Sequence, residues 1–162
     1  MSPPLQPVIS DLKLPASADV VVIGAGIAGL YQLIRLRELG MKLRVFEAGS
    51  DVGGTWYWNS YPGARCDIES LQYSYKFDEA LQQEWVWSER YATGAEILRY
   101  LNHVCDRFNL RRDIQFNACV VSAVYDEAGS FWTVTLESGQ TLTARYLISA
   151  SGVLSSANMP NI

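Results

Sequence analysis

The stretch DVVVIGAGIAGL, Asp19 to Leu30, leaves this chain few folds to choose from. Asp19–Ile23 is a short β-branched run of the kind that forms a strand buried on both faces. Gly-Ala-Gly follows at once. Ile27, Leu30, Leu33 and Ile34 then recur at helical spacing, with Arg35, Arg37 and Glu38 on the polar side, until Gly40 ends the helix. A second strand, Leu43–Phe46, closes on Glu47. Strand, tight glycine turn, helix and strand in this order define a dinucleotide-binding unit. In Gly24-x-Gly26-x-x-Gly29 the first glycine permits the turn, the second admits a pyrophosphate, and the third lets helix and strand pack closely. The helix start, which includes Ala28, offers free amides and about half a positive charge to an anion. Glu47 at the second strand tip is placed to accept hydrogen bonds from ribose hydroxyls. A glycine turn that only saves space is the competing explanation.

The glycines do not separate FAD from NAD, but three other features favour FAD. The fingerprint lies at the front of the chain, a second glycine pair follows at Gly53-Gly54, and strand signals at 120–148 replace further parallel units. Those signals are Val120–Tyr125, Phe131–Leu136 and Thr141–Ile148, separated by Asp-Glu-Ala-Gly-Ser and Ser-Gly-Gln as hairpin punctuation. They predict a small antiparallel meander whose last strand returns to the main sheet. The expected fold is therefore α/β, a Rossmann-like FAD-binding domain with a parallel sheet and a β-meander. Its expected limits are an extended arm over 1–18, the domain over 19–152, and a linker beginning at 153. Thr93-Gly-Ala-Glu96 reads as a capping box opening a helix with Ile97, Leu98, Leu101, Val104, Cys105 and Phe108 on one face. A short strand is expected at Ile114–Phe116. The region from Gly49 to Tyr91 looks irregular, with one short helix at Asp78–Gln83, and loops of that length usually carry function.

Composition limits the partners. The 162 residues are about half apolar and carry a net charge of −4, which suits a globular protein and argues against nucleic acid or anionic membrane as partner. No apolar run approaches the ~18 residues that span a bilayer, and the N-terminus lacks the pattern of a secretory signal. Cys66, Cys105 and Cys119 stand apart without CxxC spacing, so free thiols and the cytoplasm are expected, with Cys105 and Cys119 packed in a helix face and a strand. A single histidine, His103, excludes a multi-histidine metal site.

Within 53–70, GGTWYWNSYPGARCDIES, Gly53 and Gly54 let backbone pass close under a flat or phosphorylated ligand. Thr55 follows, and Trp56, Tyr57 and Trp58 offer broad apolar faces with polar handles, suited to walling an isoalloxazine ring or to core packing. Tyr61-Pro62-Gly63 is a turn, presenting Arg65 as a phosphate or carboxylate fork and Asp67 as an acceptor or charge partner. A surface ion pair is the alternative use of those two charges.

Four segments in order, GAGIAGL, FEAGSDVGGTWYWNSYPGARCDIES, YATGAEILRYLNHV and YLISASGVLS, closely resemble the N-terminal FAD-binding part of Baeyer–Villiger monooxygenases. The GGTWYWN…YPGARCD block is the specific element. The resemblance implies that Glu47 holds the adenosine ribose, that Thr55 through Trp58 line the flavin side, and that Asp67 and Tyr73 contact the flavin region. It implies a backbone contact from Val120 to the adenine end. Arg65, Cys66 and Asp67 match a segment that approaches NADP, and Asp67 an aspartate supporting a catalytic arginine from a later part of the chain. Enzymes of this family use FAD, NADPH and oxygen to convert ketones into esters or lactones. Ser60 stands where many relatives carry arginine.

No second glycine fingerprint for NADPH, no FxGxxxHTxxWP signature and no closing Gly-Asp flavin motif occurs in the sequence. The chain is therefore expected to be an N-terminal portion that requires the remaining flavin and NADP domains, and to be inactive alone. Two other readings compete: a flavin monooxygenase that oxygenates nitrogen or sulfur, and a non-catalytic flavin-binding module.

Overall fold

The computed structural model describes residues 17–155 and Asn161. The rest of the expected arm (1–16) and most of the expected linker (156–160 and 162) lie outside the described residues. One six-stranded sheet forms, in the order β3-β2-β1-β6-β5-β4. Its strands are β1 (Ser17–Ile23), β2 (Leu43–Phe46), β3 (Ile114–Gln115), β4 (Val120–Asp126), β5 (Phe131–Leu136) and β6 (Thr141–Ser149). Strands β3, β2, β1 and β6 run parallel, and β5 and β4 continue the sheet antiparallel. This is the expected α/β fold with a meander whose last strand enters the parallel sheet.

The Val20-Val-Val22 run is buried on both faces because two cores use it. Val20 and Val22 belong to the larger core with Val45, Leu30, Leu33 and Ile34, whereas Val21 joins Phe46, Val134, Leu136 and Leu142 on the opposite face. Alternate side chains of a strand point to opposite faces, so a continuous apolar run has to be covered twice. Helix α1 (Ile27–Glu38) covers the larger core. It stops in a Schellman motif: the Gly40 amide donates to Arg37 O at 2.9 Å and that of Met41 to Leu36 O at 3.2 Å, with Gly40 at φ +69°.

Strand β6 serves two neighbours in turn. Its first residues, Thr141 to Ala144, pair with β5, while Thr143 to Ser149 pair with β1. Among the described residues the β5 side of Arg145–Ser149 has no strand partner.

The stretch 49–91 is more ordered than expected. It contains α2 (Thr55–Trp58), a 3-10 turn at Ser70–Tyr73, and α3 (Glu79–Glu84). Its aromatic residues form a layer against helix α4 (Gly94–Arg107). Tyr75 stacks near Tyr31 and Tyr100, and Tyr100 in turn meets Trp85 and Trp87 with ring centroids 5.3 and 5.1 Å apart. Large rings supply more buried area per residue than any other side chain, which is how a region without apolar periodicity gains a core. Asp78 caps α3 by accepting from Leu81 N at 2.8 Å, and Arg107 of α4 reaches back to Asp78 and Glu84.

Several local expectations require correction. β1 begins at Ser17, two residues before the apolar run, because Ser17 and Ala18 pair with Thr143 and Ala144. Ile27 is 37% exposed, since the first turn of α1 lies beyond the strand that covers the later turns. β3 ends at Gln115, and Cys119 precedes β4 instead of lying in a strand. The capping box is half formed. Thr93 Oγ1 accepts from Glu96 N at 3.2 Å, but the Glu96 carboxylate is buried and accepts from Ser88 N and Ser88 Oγ at 2.9 and 2.7 Å.

Candidate cofactor site at the carboxyl edge of the sheet

The carboxyl ends of β1, β2 and β6 meet beside the start of α1. Gly24 N donates to Phe46 O and Ala150 N to Ile23 O, both at 2.8 Å, so the three strand ends are sewn together. In open α/β sheets this edge is where ligands bind. A Cβ added to Gly29 would stand 1.9 Å from Gly24 O, so this position admits only glycine if helix and strand are to stay in contact. The close approach in the fingerprint has a second cause that the sequence did not disclose. Gly54, at φ +54°, lies against Gly26: a Cβ on Gly54 would come 2.8 Å from Gly26 Cα. Gly53 N donates to Ala25 O at 3.1 Å, joining the two glycine segments backbone to backbone.

Glu47 is the buried carboxylate of this edge, 5% exposed. Its Oε2 accepts from Ala25 N and its Oε1 from Gly49 N, each at 2.7 Å. One side chain thus holds the turn after β1 and the loop after β2. Each carboxylate oxygen has a second lone pair, so acceptor capacity remains for a ligand hydroxyl. Ala118 N donates to Glu47 O at 2.9 Å, which brings the approach to β4, and with it half-buried Val120, alongside. The start of α1 has Gly26 at its N-cap, no side-chain cap and no acidic residue in its first turn; Ile27 and Ala28 are exposed there. Unpaired amides, the helix dipole and backbone bare of Cβ atoms make a cradle that fits a diphosphate.

The three consecutive aromatic residues part company. Successive residues of a helix are about 100° apart, so one turn cannot present three rings to one surface. Trp56 packs toward the larger core, edge-on to Tyr73 with centroids 5.7 Å apart, and its ring lies where a Cβ on Gly94 would reach it at 3.0 Å. Tyr57 and Trp58 instead cover the loop of Gly49 and Ser50, where Tyr57 OH lies 2.8 Å from Ser50 Oγ. Trp58 is 60% exposed and Thr55 is half-buried.

Tyr73 draws the third group together. Burial raises the pKa of its phenol, and the neighbouring Cys66 and Asp67 raise it further, while a hydrogen bond with Trp56 acts in the opposite direction. Trp56 thus meets Tyr73 edge-on, and Cys66 and Asp67 act on the same phenol through their charge. Arg65 and Asp67 do not pair with each other: Arg65 Nη1 donates to Glu89 Oε2 and to Tyr91 O, and Asp67 is exposed. The strap that carries Glu89 and Tyr91 is pinned by buried Ser70, whose Oγ donates to Glu89 O at 2.6 Å and accepts from Ala92 N at 2.9 Å.

The roles of Ala25, Gly49, Glu89 and Ser70 escaped the sequence reading, and Glu96 was assigned the wrong partner. A carboxylate two residues before a glycine at a strand tip was a usable signal for Gly49, because short side-chain-to-backbone bonds of that spacing are common. The contacts made by Glu89 and Ser70 link segments 19 or more residues apart, and that of Glu96 reaches Ser88 eight residues back, outside its own helix; neither left a local pattern. Among the described residues no group of three or more His, Cys, Asp and Glu gathers for a metal ion, and no helix is long and apolar enough to cross a membrane.

Fold and edge together define a dinucleotide-binding oxidoreductase domain. The chain belongs to the pyridine nucleotide-disulphide oxidoreductase family, whose sequence model it matches over residues 21–162. It is 51% identical over 145 residues to phenazine N-monooxygenase from Lysobacter antibioticus, covering 89% of this chain and 27% of that protein. It is 50% identical over 137 residues to acetone monooxygenase (methyl acetate-forming) from Gordonia sp., covering 85% of this chain and 26% of that protein. An oxidised steroid monooxygenase bound to NADP superposes with a TM-score of 0.86 at 61% identity, over 90% of this chain and 28% of that structure. The chain thus spans roughly a quarter of the length of these relatives.

Proposed function

We propose that this chain is the FAD-binding part of an NADPH- and oxygen-dependent monooxygenase that converts ketones into esters or lactones. The observation that carries the reading is the apposition of Gly26 and Gly54 beside the open start of α1, with Glu47 buried between the two loops. In this reading Gly24, Gly26, Ala28, Gly29 and Gly54 cradle the diphosphate. Glu47 accepts from the adenosine ribose, and Val120 meets the adenine through its backbone. Thr55 and Trp56 stand on the flavin side, whereas Tyr57 and Trp58, assigned there by the resemblance, cover the loop of Gly49 and Ser50 instead. The flavin, once bound, supplies the electron transfer and oxygen activation; this chain binds it, orients it and excludes water.

Arg65, Cys66 and Asp67 form the margin toward the nicotinamide nucleotide, and Asp67 and Tyr73 contact the flavin region. Asp67 is assigned to support a catalytic arginine from the remaining chain, and its exposure suits a partner arriving from outside this portion. The intact protein acts on a small ketone and oxygen, with the remaining flavin and NADP domains as structural partners. Three free cysteines suit a reducing compartment, so we assign it to the cytoplasm. Oxygenation of a ring nitrogen is the second reading, supported by the 51% identity to a phenazine N-monooxygenase.

The test is a titration of FAD into the purified chain, followed by flavin fluorescence and absorbance. Saturable quenching that Gly26→Val weakens at least tenfold is expected, as is no ester formation from ketone, NADPH and oxygen by the chain alone. Absence of saturable FAD binding by both this chain and the intact protein overturns the reading.

A further inference from the structure

At the opposite, amino-terminal edge of the parallel sheet lies a cleft of about 500 Å³ lined by Ser17, Arg37, Lys42, Arg44, Arg112 and Asp113, among others. Its charge runs against that of the whole chain, which is −4. The Arg37 guanidinium is fully committed: it donates to Asp113 Oδ2, to Phe108 O at 2.9 Å and to Asn109 O at 2.8 Å, so Asp113 cancels it. Three cations remain. Among the described residues the Arg44 guanidinium makes no ion pair, and its buried Nε has no hydrogen-bond partner. Nor, among the described residues, does the Lys42 ammonium have an ion pair, Asp19 being engaged with the Lys42 backbone amide at 2.8 Å. Arg112 is 64% exposed and touches only the outer reach of Asp113, at 3.9 Å.

A buried guanidinium N–H without an acceptor is costly, and native structures rarely leave one so. Neighbouring carboxylates do not supply the acceptor here, because Asp113 is taken by Arg37 and Asp19 by a backbone amide. Among the described residues that acceptor is lacking, and an anion from outside them would supply it. Guanidinium forks match the oxygens of a phosphoryl group, and three cations around one cleft favour a group with more than one negative charge. We propose that this cleft is a second anion site, separate from the dinucleotide edge, that takes the phosphoryl group of a small phosphate compound between Arg44, Lys42 and Arg112. The seven residues of β1 separate it from the glycine turn by on the order of 20 Å, so one diphosphate cannot occupy both places.

Amide and arginine side-chain NMR spectra of the 162-residue chain, recorded at low, matched ionic strength, test this. Inorganic pyrophosphate and glycerol 3-phosphate are titrated in parallel, with sodium chloride as reference. Saturable shifts of the Arg44 Nε–Hε signal and of the Met41–Arg44 amides are expected with one or both phosphates. A response to pyrophosphate alone assigns an inorganic ligand, and one to glycerol 3-phosphate an esterified one. Arg112→Gln and Lys42→Gln, both outside the cores, are each expected to weaken binding about threefold to tenfold without moving the urea midpoint. Shifts confined to the amides of Gly24–Gly29, shifts no larger than those with chloride, or variants that titrate like the parent would overturn the proposal.

Discussion

The carboxylate of Glu47 and the amide of Ala25, 22 residues apart in sequence, meet at 2.7 Å with the carboxylate buried. The bond ties the loop after β2 to the glycine turn after β1, and the second oxygen closes on Gly49 N. Glu47 thus shapes the cradle before any ligand arrives.

Removing it should be felt in stability as well as in cofactor affinity. Glu47→Ala leaves two amides without their acceptor, a loss of about 2–4 kcal/mol, while Glu47→Gln keeps one acceptor oxygen and costs roughly half as much. Urea unfolding of the ligand-free chain measures both. An unchanged midpoint in Glu47→Ala would mean that the two bonds add nothing to the fold.

Two glycine-to-alanine changes should separate crowding from backbone strain. At Gly29 the new methyl group would overlap Gly24 O at 1.9 Å, and a loss of 3 kcal/mol or more, about the upper range for overpacking, is expected. At Gly40 nothing lies within 4 Å, so only the left-handed backbone at φ +69° resists, at about 1–2 kcal/mol. Equal losses at the two sites would contradict the packing described for the fingerprint.

Glu96 and Ser88 should show coupled energetics where a capping box would not. Thr93→Ala should cost about 1 kcal/mol as the loss of an N-cap. Glu96→Gln and Ser88→Ala, combined in a double-mutant cycle, should return a coupling of about 0.5–3 kcal/mol, the range for residues in contact. A coupling near zero would return Glu96 to a purely helical role.

Acid should loosen the α3–α4 junction. The pKa of Asp78 is lowered chiefly by the Leu81 amide, and that of Glu84 chiefly by its hydrogen bonds with Arg107. Their folded values thus lie below the ordinary 3.8 and 4.5. The stabilisation is present above those ordinary values and is lost as pH falls through the lower folded ones. Between pH 5 and 3 the parent chain should lose more stability than Arg107→Gln, as read by chemical unfolding at each pH. Parallel pH profiles would show that the pairs contribute nothing.

Thiol labelling should rank the cysteines. Burial pushes the Cys105 thiol up to about 11, and both Cys105 and Cys66 are inaccessible, whereas Cys119 is half-buried. Iodoacetamide at pH 8 should modify Cys119 first, with the other two protected until urea unfolds the chain, as mapped by peptide mass spectrometry. Early modification of Cys105 would contradict the packing of α4.

What could be read from residue order was whatever repeats along the chain. The double burial of Val20-Val-Val22, the helical spacing of Leu30, Leu33 and Ile34, and the hairpin punctuation around Phe131–Leu136 yielded the strands, the helices and the α/β class. The glycine fingerprint was legible because its steric demands act over a few residues, as the Gly29 contact with Gly24 shows. The region 49–91 was not, because its order comes from rings such as Tyr75, Tyr100 and Trp87, whose contacts follow no period.

The sequence alone determined the strands, the two long helices and the glycine turn at the carboxyl edge of the sheet, because periodicity and local sterics are written in neighbouring residues. Only the tertiary structure decided the rest. It set Gly54 against Gly26, gave Glu47 to Ala25 and Arg65 to Glu89, and sent Trp56 and Trp58 to different surroundings. Those pairings join positions 22 or more residues apart or depend on how a one-turn helix is rotated, and such contacts exist only once the sheet has brought its strand ends together.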